Sequence, residues 1–527
     1  MLFRSIYRLA KKKALVRRAV SVENIGRITC ICSDKTGTIT EGQFQVVRFL
    51  SPDVINNEKL LSIAAIASRT ESGDLIDLAI FDEVNKEQLI IPARVSTFPF
   101  TEDRKRETSI SRLNQNAYLI ATKGAPETIF SICRLSVTDK EIWLKQVTEL
   151  AYFGYKVIAC AQMTLEELPT DEPQSNYEFA GLIAFSDPPR KGVSEAINTC
   201  RASQIHVLMI TGDHPETARA IAKEIGLGDG NPNVVLAEDV SSHLLNNKAY
   251  LRSIDVIARA IPSQKLDIVS SLQSSGEIVA VTGDGVNDVP ALKAADVGIA
   301  MGERGTQSAR EAADIILLDD NFDSIVNAIA EGRQLFKNLQ LSFKYLLLIH
   351  IPFVFSAAII PLLGYQLIYF PIHIVFIELI IHPTAMLVFQ DLPHSKTLAI
   401  AKQMKKIHFF TNKDWLKIVI IGSFATLVVI LSFILTFHES SNIEHARAIA
   451  LAELSFISAA LTYGLSGFRT WTARIIILGT LTFALTLIQI PFISHFFSLT
   501  PLHLQDWLIV IVTSLITLLL IKFTTEP

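Results

Sequence analysis

The sequence has few of the features that mark disulfide-stabilised, zinc-binding or nucleic-acid-binding proteins. Only five cysteines occur among 527 residues, and no two of them form a Cys-x-x-Cys pair. This scarcity disfavours a disulfide framework or a zinc site and indicates a reducing compartment. Cys30 and Cys32 alternate on an apparent strand, so we expect both thiols to pack in the core. The formal net charge is −4, and we expect no nucleic-acid partner.

The N-terminus lacks the apolar segment of a secretory signal peptide. Residues 1–18 contain seven Lys or Arg residues and no acid. Such a start is typical of a transit peptide or of a basic helix beside a membrane surface. We favour the second interpretation and expect a stalk helix over residues 1–27.

Apolar residues, in contrast, are plentiful and unevenly distributed. Half of all residues are hydrophobic, and the mean hydropathy of +0.36 is high for a soluble protein. From about Ser342 onward, most of the chain consists of apolar runs that can cross a bilayer core as helices of about 20 residues. Six such spans are expected, at Ser342–Leu363, Leu367–Phe389, Leu416–Phe437, Ala446–Phe468, Ala473–Phe497 and Leu504–Lys522.

The loops between these spans differ in charge, which indicates how the chain crosses the membrane. The loops at 364–366 and 498–503 carry no Lys or Arg, whereas the loop at 391–415 carries Lys396, Lys402, Lys405, Lys406 and Lys413. Six spans with both ends in the cytoplasm fit this alternation. We therefore predict an integral, multi-pass protein of the plasma membrane or inner cell membrane, with cytoplasmic soluble domains.

In the first half of the chain, apolar strand-like runs end at loops that carry carboxylates. Three such junctions occur, at Ile28–Asp34, Ile205–Asp213 and Ile278–Asp284. Alternation of strands with helical patterns predicts a parallel sheet with its site at the carboxyl ends of the strands. The segment 44–180 interrupts this pattern and is expected to be an inserted domain.

The three junctions supply the groups that phosphoryl transfer requires: a nucleophile, a metal site and donors for phosphate oxygens. Asp34 is the candidate nucleophile, and Asp284 with Asp288 can hold Mg²⁺ near it. Donors and a cation are available at Thr211, Gly212 and Lys265. A single Asp after a strand is commonly a turn residue or a helix cap, but three such loops in order disfavour that interpretation.

Several motifs in this half occur together. They are Asp34-Lys-Thr-Gly-Thr-Ile-Thr40, Asp187-Pro-Pro-Arg190, Thr211-Gly-Asp213, Thr282-Gly-Asp-Gly-Val-Asn-Asp-Val-Pro-Ala-Leu-Lys293 and Ala295-Asp-Val-Gly-Ile-Ala-Met-Gly302. The set resembles the P-type ATPases, with Ile39 and Val289 as conservative departures. The resemblance implies an α/β, haloacid-dehalogenase-like (Rossmannoid) phosphorylation domain over 28–43 and 181–335. An inserted α+β nucleotide-binding domain at 44–180 and an all-α membrane domain of six helices at 336–527 complete the expected fold.

The resemblance also implies the activity and the site residues. The activity is ATP hydrolysis coupled to cation transport through an aspartyl phosphate at Asp34, with ATP and Mg²⁺ bound. The expected catalytic residues are Asp34, Lys35, Thr36, Thr211, Gly212, Asp213, Lys265 and Asn287. The expected Mg²⁺ site comprises Asp34, Thr36, Asp284 and Asp288.

Two further stretches, Phe98–Lys105 and Lys123–Glu127, resemble the ATP-pocket motifs of the same family. The nucleotide-binding residues implied are Asp77, Phe100, Lys123, Gly124, Lys156 and Arg259. Phe100 is expected to stack on adenine; without the flanking motif, a core aromatic would be the better interpretation. Lys156 replaces the more frequent arginine. An arginine can contact a phosphate through two N–H groups at once, whereas lysine offers a single point charge.

Soluble phosphatases of the haloacid-dehalogenase superfamily usually carry a second aspartate two residues after the nucleophile. This chain has Thr36 there. Without that acid–base carboxylate, the phosphoenzyme is expected to be long-lived. Thr36 therefore disfavours the alternative of a phosphatase tethered by six helices.

Ionisable residues inside the predicted spans mark a candidate ion site, formed by His350, Glu378, His382 and Glu453. Glu378 and His382 stand one helical turn apart on one face. By resemblance, Ca²⁺ is the first expectation for the cation, with Mg²⁺, Mn²⁺ or another ion as alternatives. Histidine also fits transition metals or proton coupling, and a third interpretation is that Glu378 and a histidine merely satisfy each other.

Family members usually carry an actuator domain and four membrane helices before the phosphorylation loop, and neither is recognisable in this sequence. We therefore expect the C-terminal catalytic and membrane portion of a pump of the calcium/magnesium-like class: a fragment, the product of a truncated gene, or one half of a split pump whose partner chain carries the actuator domain. The alternative is a non-transporting, ATP-binding remnant.

Overall fold

A computed structural model describes residues 2–52, 56–101, 103–114, 117–243, 250–392 and 409–525. These residues form two compact units, one within 6–330 and one made of 2–5 together with 331–525. The first unit contains two β-sheets, and the second is helical. Four of the loop lysines used to predict topology lie outside the described residues, namely Lys396, Lys402, Lys405 and Lys406.

The strands belong to the first unit. In chain order they are β1 (Ala14–Val16), β2 (Cys30–Ser33), β3 (Gln45–Leu50), β4 (Arg94–Phe98), β5 (Arg106–Asn114), β6 (Ala117–Gly124), β7 (Lys156–Leu165), β8 (Glu178–Ser186), β9 (His206–Ile210), β10 (Val234–Leu236), β11 (Val256–Ala258), β12 (Val279–Gly283), β13 (Val297–Met301) and β14 (Ile315–Leu317).

The larger sheet has the order β1-β14-β13-β12-β2-β9-β11-β10 and is parallel except for β1. Strands β2, β12 and β13 are buried along their whole length, as expected where helices cover both faces of a parallel sheet. Because β2 pairs directly with β9 and with β12, their carboxyl ends lie side by side. The three predicted carboxylate loops therefore meet at one edge of the sheet.

The smaller sheet is antiparallel, with the order β3-β8-β7-β6-β5-β4. The predicted end of the inserted domain at residue 180 is wrong, because that position lies inside β8. This strand continues to Ser186, where it still pairs with Gln45 of β3. The strand pairing thus extends the inserted segment beyond the sequence-based boundary.

Helices connect these strands. They are α1 (Leu2–Lys11), α2 (Ser21–Ile25), α3 (Asn57–Ile66), α4 (Leu75–Lys86), α5 (Pro126–Ile132), α6 (Val137–Tyr152), α7 (Val193–Ala202), α8 (Pro215–Glu224), α9 (Ala237–His243), α10 (Pro262–Ser274), α11 (Val289–Ala294) and α12 (Gln307–Ala312). Cys30 and Cys32 lie in the apolar core between the larger sheet and α10, which confirms their predicted packing.

The predicted stalk helix over residues 1–27 is wrong beyond Lys11. Lys13 has a φ of +64°, a left-handed conformation that ends the helix. The next residues, Ala14–Val16, form β1 and pair with β14 at the sheet edge. This pairing partner is distant in sequence, so no local pattern could reveal it.

The second unit carries the expected membrane helices. Including the part of α13 after residue 330, they are α13 (Phe322–Leu362), α14 (Pro371–Phe376), α15 (His382–Gln390), α16 (Asn412–Ser440), α17 (Ile443–Ser466), α18 (Trp471–Gln489), α19 (Pro491–Phe496) and α20 (Leu504–Thr525). A π-helical turn, Ile377–Ile381, joins α14 to α15 in one span. Among the described residues, six spans are long and apolar enough to cross a membrane, as predicted. Helix α17 is central and packs against α15, α16, α18 and α20.

Two spans differ from their predicted bounds. Helix α13 begins at Phe322, well before the predicted Ser342. The predicted fifth span, Ala473–Phe497, divides into α18 and α19 at Pro491. Proline has no N–H to continue the helical ladder, and it holds the preceding Ile490 in an extended conformation with a ψ of 112°.

Candidate functional site

The loop after β2 places Asp34 at the start of a tight turn, Lys35–Ile39. One carboxylate oxygen of Asp34 accepts a hydrogen bond of 2.9 Å from the Lys35 N–H. Gly37 has a φ of +72°, and a Cβ atom here would lie 2.9 Å from Cγ of Asp284 and closer still to its Oδ2. The turn therefore brings its backbone against this carboxylate, which only glycine permits.

Three carboxylates converge beside this turn. One oxygen each of Asp34, Asp284 and Asp288 lies within 4.8 Å of the others. Lys265, from the first turn of α10, places its Nζ 2.8 Å from Oδ1 of Asp288 and 3.2 Å from Oδ1 of Asp34. Two further predicted residues lie close in sequence: Thr36, two positions after Asp34, is half-buried, and Asn287, just before Asp288, is exposed.

The carboxylates repel one another in a largely buried site. Burial raises the pKa of Asp284 to about 7, and the charges of Asp34 and Asp288 add to this effect. Burial also raises the pKa of Asp34 to about 6, against the opposing charge of Lys265. Burial alone would lower the pKa of Lys265, but Asp34 and Asp288 hold it above its ordinary value. Carboxylate oxygens are the protein ligands that Mg²⁺ prefers, and such an ion would relieve this repulsion. The residues present therefore fit Mg²⁺.

The loop after β9 contributes a second charged cluster. Asp213 lies between two lysines, with Oδ2 at 2.6 Å from Nζ of Lys35 and Oδ1 at 3.3 Å from Nζ of Lys156. Burial alone would raise the pKa of Asp213, but Lys156 and Lys35 hold it well below its usual range. The structure thus connects Lys156, which the sequence assigned to the nucleotide, with the phosphorylation loop. In the same loop, the Thr211 hydroxyl accepts the Asp213 N–H at 3.1 Å, and Gly212 is exposed.

Two residues that hold the phosphorylation loop had no assigned role in the sequence. Asp187 accepts hydrogen bonds from the Thr40 hydroxyl at 2.6 Å and from the Gly42 N–H at 2.8 Å. Arg190 donates to the carbonyl oxygens of Gly37 and Thr40, at 2.8 Å and 3.0 Å. The motif Asp187–Arg190 was visible in the sequence, but its contacts with the phosphorylation loop were not.

In the smaller sheet, a buried ion pair joins two predicted nucleotide residues. Nζ of Lys123 lies 2.5 Å from Oδ1 of the fully buried Asp77 and 3.3 Å from Oε2 of Glu107. Asp77 also accepts hydrogen bonds from the Ser72 hydroxyl at 2.7 Å and the Arg69 N–H at 3.0 Å. Sequence reasoning missed Glu107. Its only signal is the register of β5 and β6, which sets it directly opposite Lys123.

The remaining nucleotide residues lie near these elements. Gly124 ends β6, where a Cβ atom would lie 2.8 Å from Cα of Arg106. Phe100 follows β4 and is 52% exposed, so the alternative of a core aromatic is wrong. Arg259 has a φ of +57°, and its guanidinium lies 2.5 Å from the carboxylate of Glu127. This contact links the loop after β11 to the Lys123–Glu127 motif.

In the second unit, the structure brings three of the four predicted ion residues together. Nε2 of His350 lies 3.2 Å from Oε1 of Glu378, and Nδ1 of His382 lies 3.4 Å from Oε2 of the same residue. One ligand atom from each lies within 4.8 Å of the others. Among the described residues, Glu453 is not part of this cluster. It is fully buried and accepts a 2.7 Å hydrogen bond from Ser432.

Family models match most of the chain. A model of haloacid dehalogenase-like hydrolases matches residues 28–296, and a second model with the same description matches 265–329. A model of the C-terminus of cation transporting ATPases matches residues 366–525. The first match covers more than half of the chain and contains every residue of the site at the edge of the larger sheet.

Individual proteins agree with these models. The calcium-transporting ATPase 1 of Bacillus cereus is 30% identical, over 97% of this chain and 65% of that protein. The calcium-transporting ATPase of Bacillus subtilis is also 30% identical, over 96% and 64%. The sodium/potassium-transporting ATPase subunit alpha-A of Artemia franciscana is 34% identical, over 66% and 44%.

The chain thus spans less than two thirds of the length of these relatives. The similarity and the six apolar helices establish an integral, multi-pass membrane protein. The chain belongs to the haloacid dehalogenase-like hydrolases and, within them, to the P-type cation-transporting ATPase family.

Proposed function

We propose that this chain transfers the γ-phosphoryl group of ATP to Asp34 and that the aspartyl phosphate drives cation translocation. The observation that carries the proposal is the position of Asp34, 3.2 Å from Lys265 and clustered with Asp284 and Asp288. A carboxylate nucleophile, a fixed cation and further carboxylate oxygens for a metal are the components of phosphoryl transfer.

In the first step, a carboxylate oxygen of Asp34 bonds to the γ-phosphorus of ATP. The bond from this phosphorus to the bridging oxygen breaks, and ADP leaves with the electron pair. In a later step, water attacks the phosphorus, inorganic phosphate leaves, and the carboxylate of Asp34 is restored. Thr36 offers no carboxylate to activate this water, so the intermediate persists long enough for a conformational change.

The chain's own residues position the phosphoryl group. Lys265 places a positive charge beside the reacting oxygen, and Thr211 and Gly212 offer a hydroxyl and an N–H to the phosphate oxygens. Asp213 anchors Lys35 and so fixes the turn that follows the nucleophile. Mg²⁺, when bound, neutralises phosphate charge, and its proposed ligands are Asp34, Thr36, Asp284 and Asp288. Asn287 is proposed to contact the same site from its exposed position next to Asp288.

We assign ATP binding to the inserted segment around the smaller sheet. The exposed ring of Phe100 is suited to stacking on a base, and Gly124 allows a close approach of backbone at the end of β6. Lys123 and Asp77, which form a buried 2.5 Å ion pair, are proposed to lie beneath the bound nucleotide. The basic groups proposed for the phosphates are Lys156 and Arg259, which pair with the carboxylates of Asp213 and Glu127.

The membrane unit is proposed to carry the cation, with the catalytic unit in the cytoplasm. Two relatives that cover nearly the whole chain are named calcium-transporting, which supports membership of the calcium/magnesium-pump-like class. We further propose that an actuator domain on a partner chain drives dephosphorylation, since Thr36 stands where soluble phosphatases of the superfamily carry the carboxylate that activates water. The proposed domains are 28–43 with 187–330 for phosphorylation and 44–186 for the nucleotide, followed by the membrane helices.

The experiment is phosphorylation of the purified chain by ATP labelled in its γ-phosphate, with Mg²⁺ present. We expect an acid-stable, hydroxylamine-labile label in the wild type and none in Asp34→Asn. Asp82→Asn, on the exposed face of α4, is the matched control and should label normally. Label that persists in Asp34→Asn would refute the nucleophile. Steady ATP turnover by the chain alone would refute both the need for a partner and the remnant alternative.

A further inference from the structure

The cluster of His350, Glu378 and His382 has the features of a built binding site. Three helical segments deliver it: α13, the π-helical turn before α15, and the first residue of α15. Each carboxylate oxygen of Glu378 contacts one imidazole nitrogen, at 3.2 Å for His350 and 3.4 Å for His382. The centroids of the two imidazole rings lie 4.8 Å apart, and one ligand atom from each of the three side chains lies within 4.8 Å of the others.

Hydrogen bonds orient the first histidine toward this centre. Nδ1 of His350 lies 2.8 Å from the carbonyl oxygen of Leu346, which can only accept a hydrogen bond. Nδ1 therefore carries the proton in the neutral ring, and the lone pair is on Nε2, the atom that faces Glu378. A histidine that donates its other N–H to a carbonyl is the usual arrangement of a metal-binding imidazole.

The second histidine holds an unsatisfied atom. The side chain of His382 is only 3% exposed, and its Nε2 is buried with no hydrogen-bond partner among the described residues. A buried polar atom without a partner carries a desolvation penalty that no hydrogen bond repays. A mutual His–Glu contact does not remove this penalty, because only Nδ1 of His382 faces Glu378. A ligand that enters the cluster would give Nε2 of His382 a bonding partner.

The backbone around the cluster departs from a regular α-helix. Glu378 lies in the π-helical turn Ile377–Ile381, in which the His382 N–H bonds to the carbonyl of Ile377. Such turns are rare and occur frequently at functional sites. Pro352 and Pro383 follow the two histidines closely, and each removes an N–H from the helical ladder. The side chains of His350 and Glu378 remain 37% and 39% exposed, which leaves one side of the cluster open.

We propose that His350, Glu378 and His382 bind a divalent transition-metal ion, such as Zn²⁺ or Co²⁺, and that this ion is the translocated cation. Two imidazole nitrogens and one carboxylate suit these ions, whereas Ca²⁺ takes six to eight oxygen ligands and Mg²⁺ also prefers oxygen. The open side can admit water or a further ligand. The assignment as cargo rests on the proposed function, but binding itself does not.

The test is calorimetric titration of the full chain in detergent with Zn²⁺, in excess Mg²⁺ to occupy the carboxylate site of the first unit. We expect one equivalent to bind, with affinity reduced about tenfold or more in His350→Ala, His382→Ala and Glu378→Gln. His438→Ala is the matched control, since this exposed histidine of the same unit bonds only to Tyr365 among the described contacts. Gel filtration identifies any variant that has not folded, and His382→Gln then replaces His382→Ala.

Two results would overturn the inference: Ca²⁺ displacing Zn²⁺ at similar concentration, or both histidine variants binding Zn²⁺ like the wild type. The second result would make the cluster a self-satisfied His–Glu pair. Asp34→Asn separates this inference from the proposed function, because it should bind Zn²⁺ normally. Failure of wild-type phosphorylation with intact Zn²⁺ binding would refute the proposed function alone.

Discussion

The backbone of Gly37 passes so close to the carboxylate of Asp284 that any side chain at position 37 would collide with it. The two residues come from loops after adjacent strands, β2 and β12, which pair in parallel. The nucleophile loop and the proposed metal-binding loop are therefore assembled by direct contact rather than through intervening side chains.

Gly37→Ala should consequently slow phosphorylation of Asp34 by displacing the Asp284 side chain. We expect label formation at Asp34 to fall about 100-fold, since small misplacements of reacting groups have effects of this order. Gly276→Ala is the matched control, because Gly276 has a φ of +89° and nothing within 4 Å of its Cβ position. Both variants should lose about 1–2 kcal/mol of stability from the left-handed backbone. Equal labelling of the two variants would contradict the contact's role.

Removing the cation beside the nucleophile should slow phosphorylation without preventing folding. In Lys265→Met, the fixed positive charge beside the transferred group is lost, so the rate of labelling should fall about 100- to 1000-fold. Rapid-quench measurement of label formation checks this rate. Lys223→Met, at an exposed position in the last turn of α8, should label at the wild-type rate. A normal rate in Lys265→Met would exclude Lys265 from the chemistry.

The Asp213 cluster should matter mainly for stability. Asp213→Asn leaves the buried Lys35 without its countercharge, and loss of one partner of a buried pair costs about 3–5 kcal/mol. Thermal unfolding of the first unit, followed by circular dichroism, measures this loss. Asp229→Asn is the control: its pair with Arg201 is largely exposed, and its removal should change little. Equal stability of both variants would contradict the buried cluster.

Mg²⁺ affinity should rise with pH between about pH 6 and pH 8. Burial, with the charges of Asp34 and Asp288, raises the pKa of Asp284 from 3.8 to about 7, so this carboxyl is partly protonated at neutral pH. A group with a raised folded pKa weakens the fold as pH increases from its unfolded pKa through its folded pKa, because the acid must ionise in a repulsive site. Mg²⁺ reverses this loss only when the proton has left.

Two measurements check this linkage. The rise in melting temperature caused by Mg²⁺ should be larger at about pH 8 than at about pH 6. Binding at neutral pH should also release protons, which calorimetry in buffers of different ionisation enthalpy detects. The Asp284→Asn variant should lose most of both effects. A Mg²⁺-induced shift that is independent of pH would contradict the raised pKa of Asp284.

The larger sheet and its carboxylate edge could be predicted because the signal was local. Apolar strand-like runs ending at Asp34 and Asp284 were enough, since parallel strands bring their carboxyl ends together. The membrane helices were visible for the same reason, as continuous apolar runs. The division of the fifth span at Pro491 was not predicted, although a proline that breaks the helix is visible in the sequence.

The features that could not be predicted depend on contacts between distant segments. Strand β1 forms only because β14 offers an edge, and a basic N-terminal segment carries no sign of that partner. Glu107 could be identified only from the register of β5 and β6. Lys156 was recognised by its motif, but its contact with Asp213 joins β7 to the loop after β9. In each case the second residue lies far along the chain.

The most direct test of the account is to locate the phosphoryl group after brief reaction of the wild-type chain with ATP and Mg²⁺. Acid quenching, digestion and tandem mass spectrometry should place the modification on Asp34, and hydroxylamine treatment before digestion should remove it. A phosphoryl group on a serine, threonine or histidine, or no modification of a chain that binds ATP and Mg²⁺, would exclude Asp34 as the nucleophile.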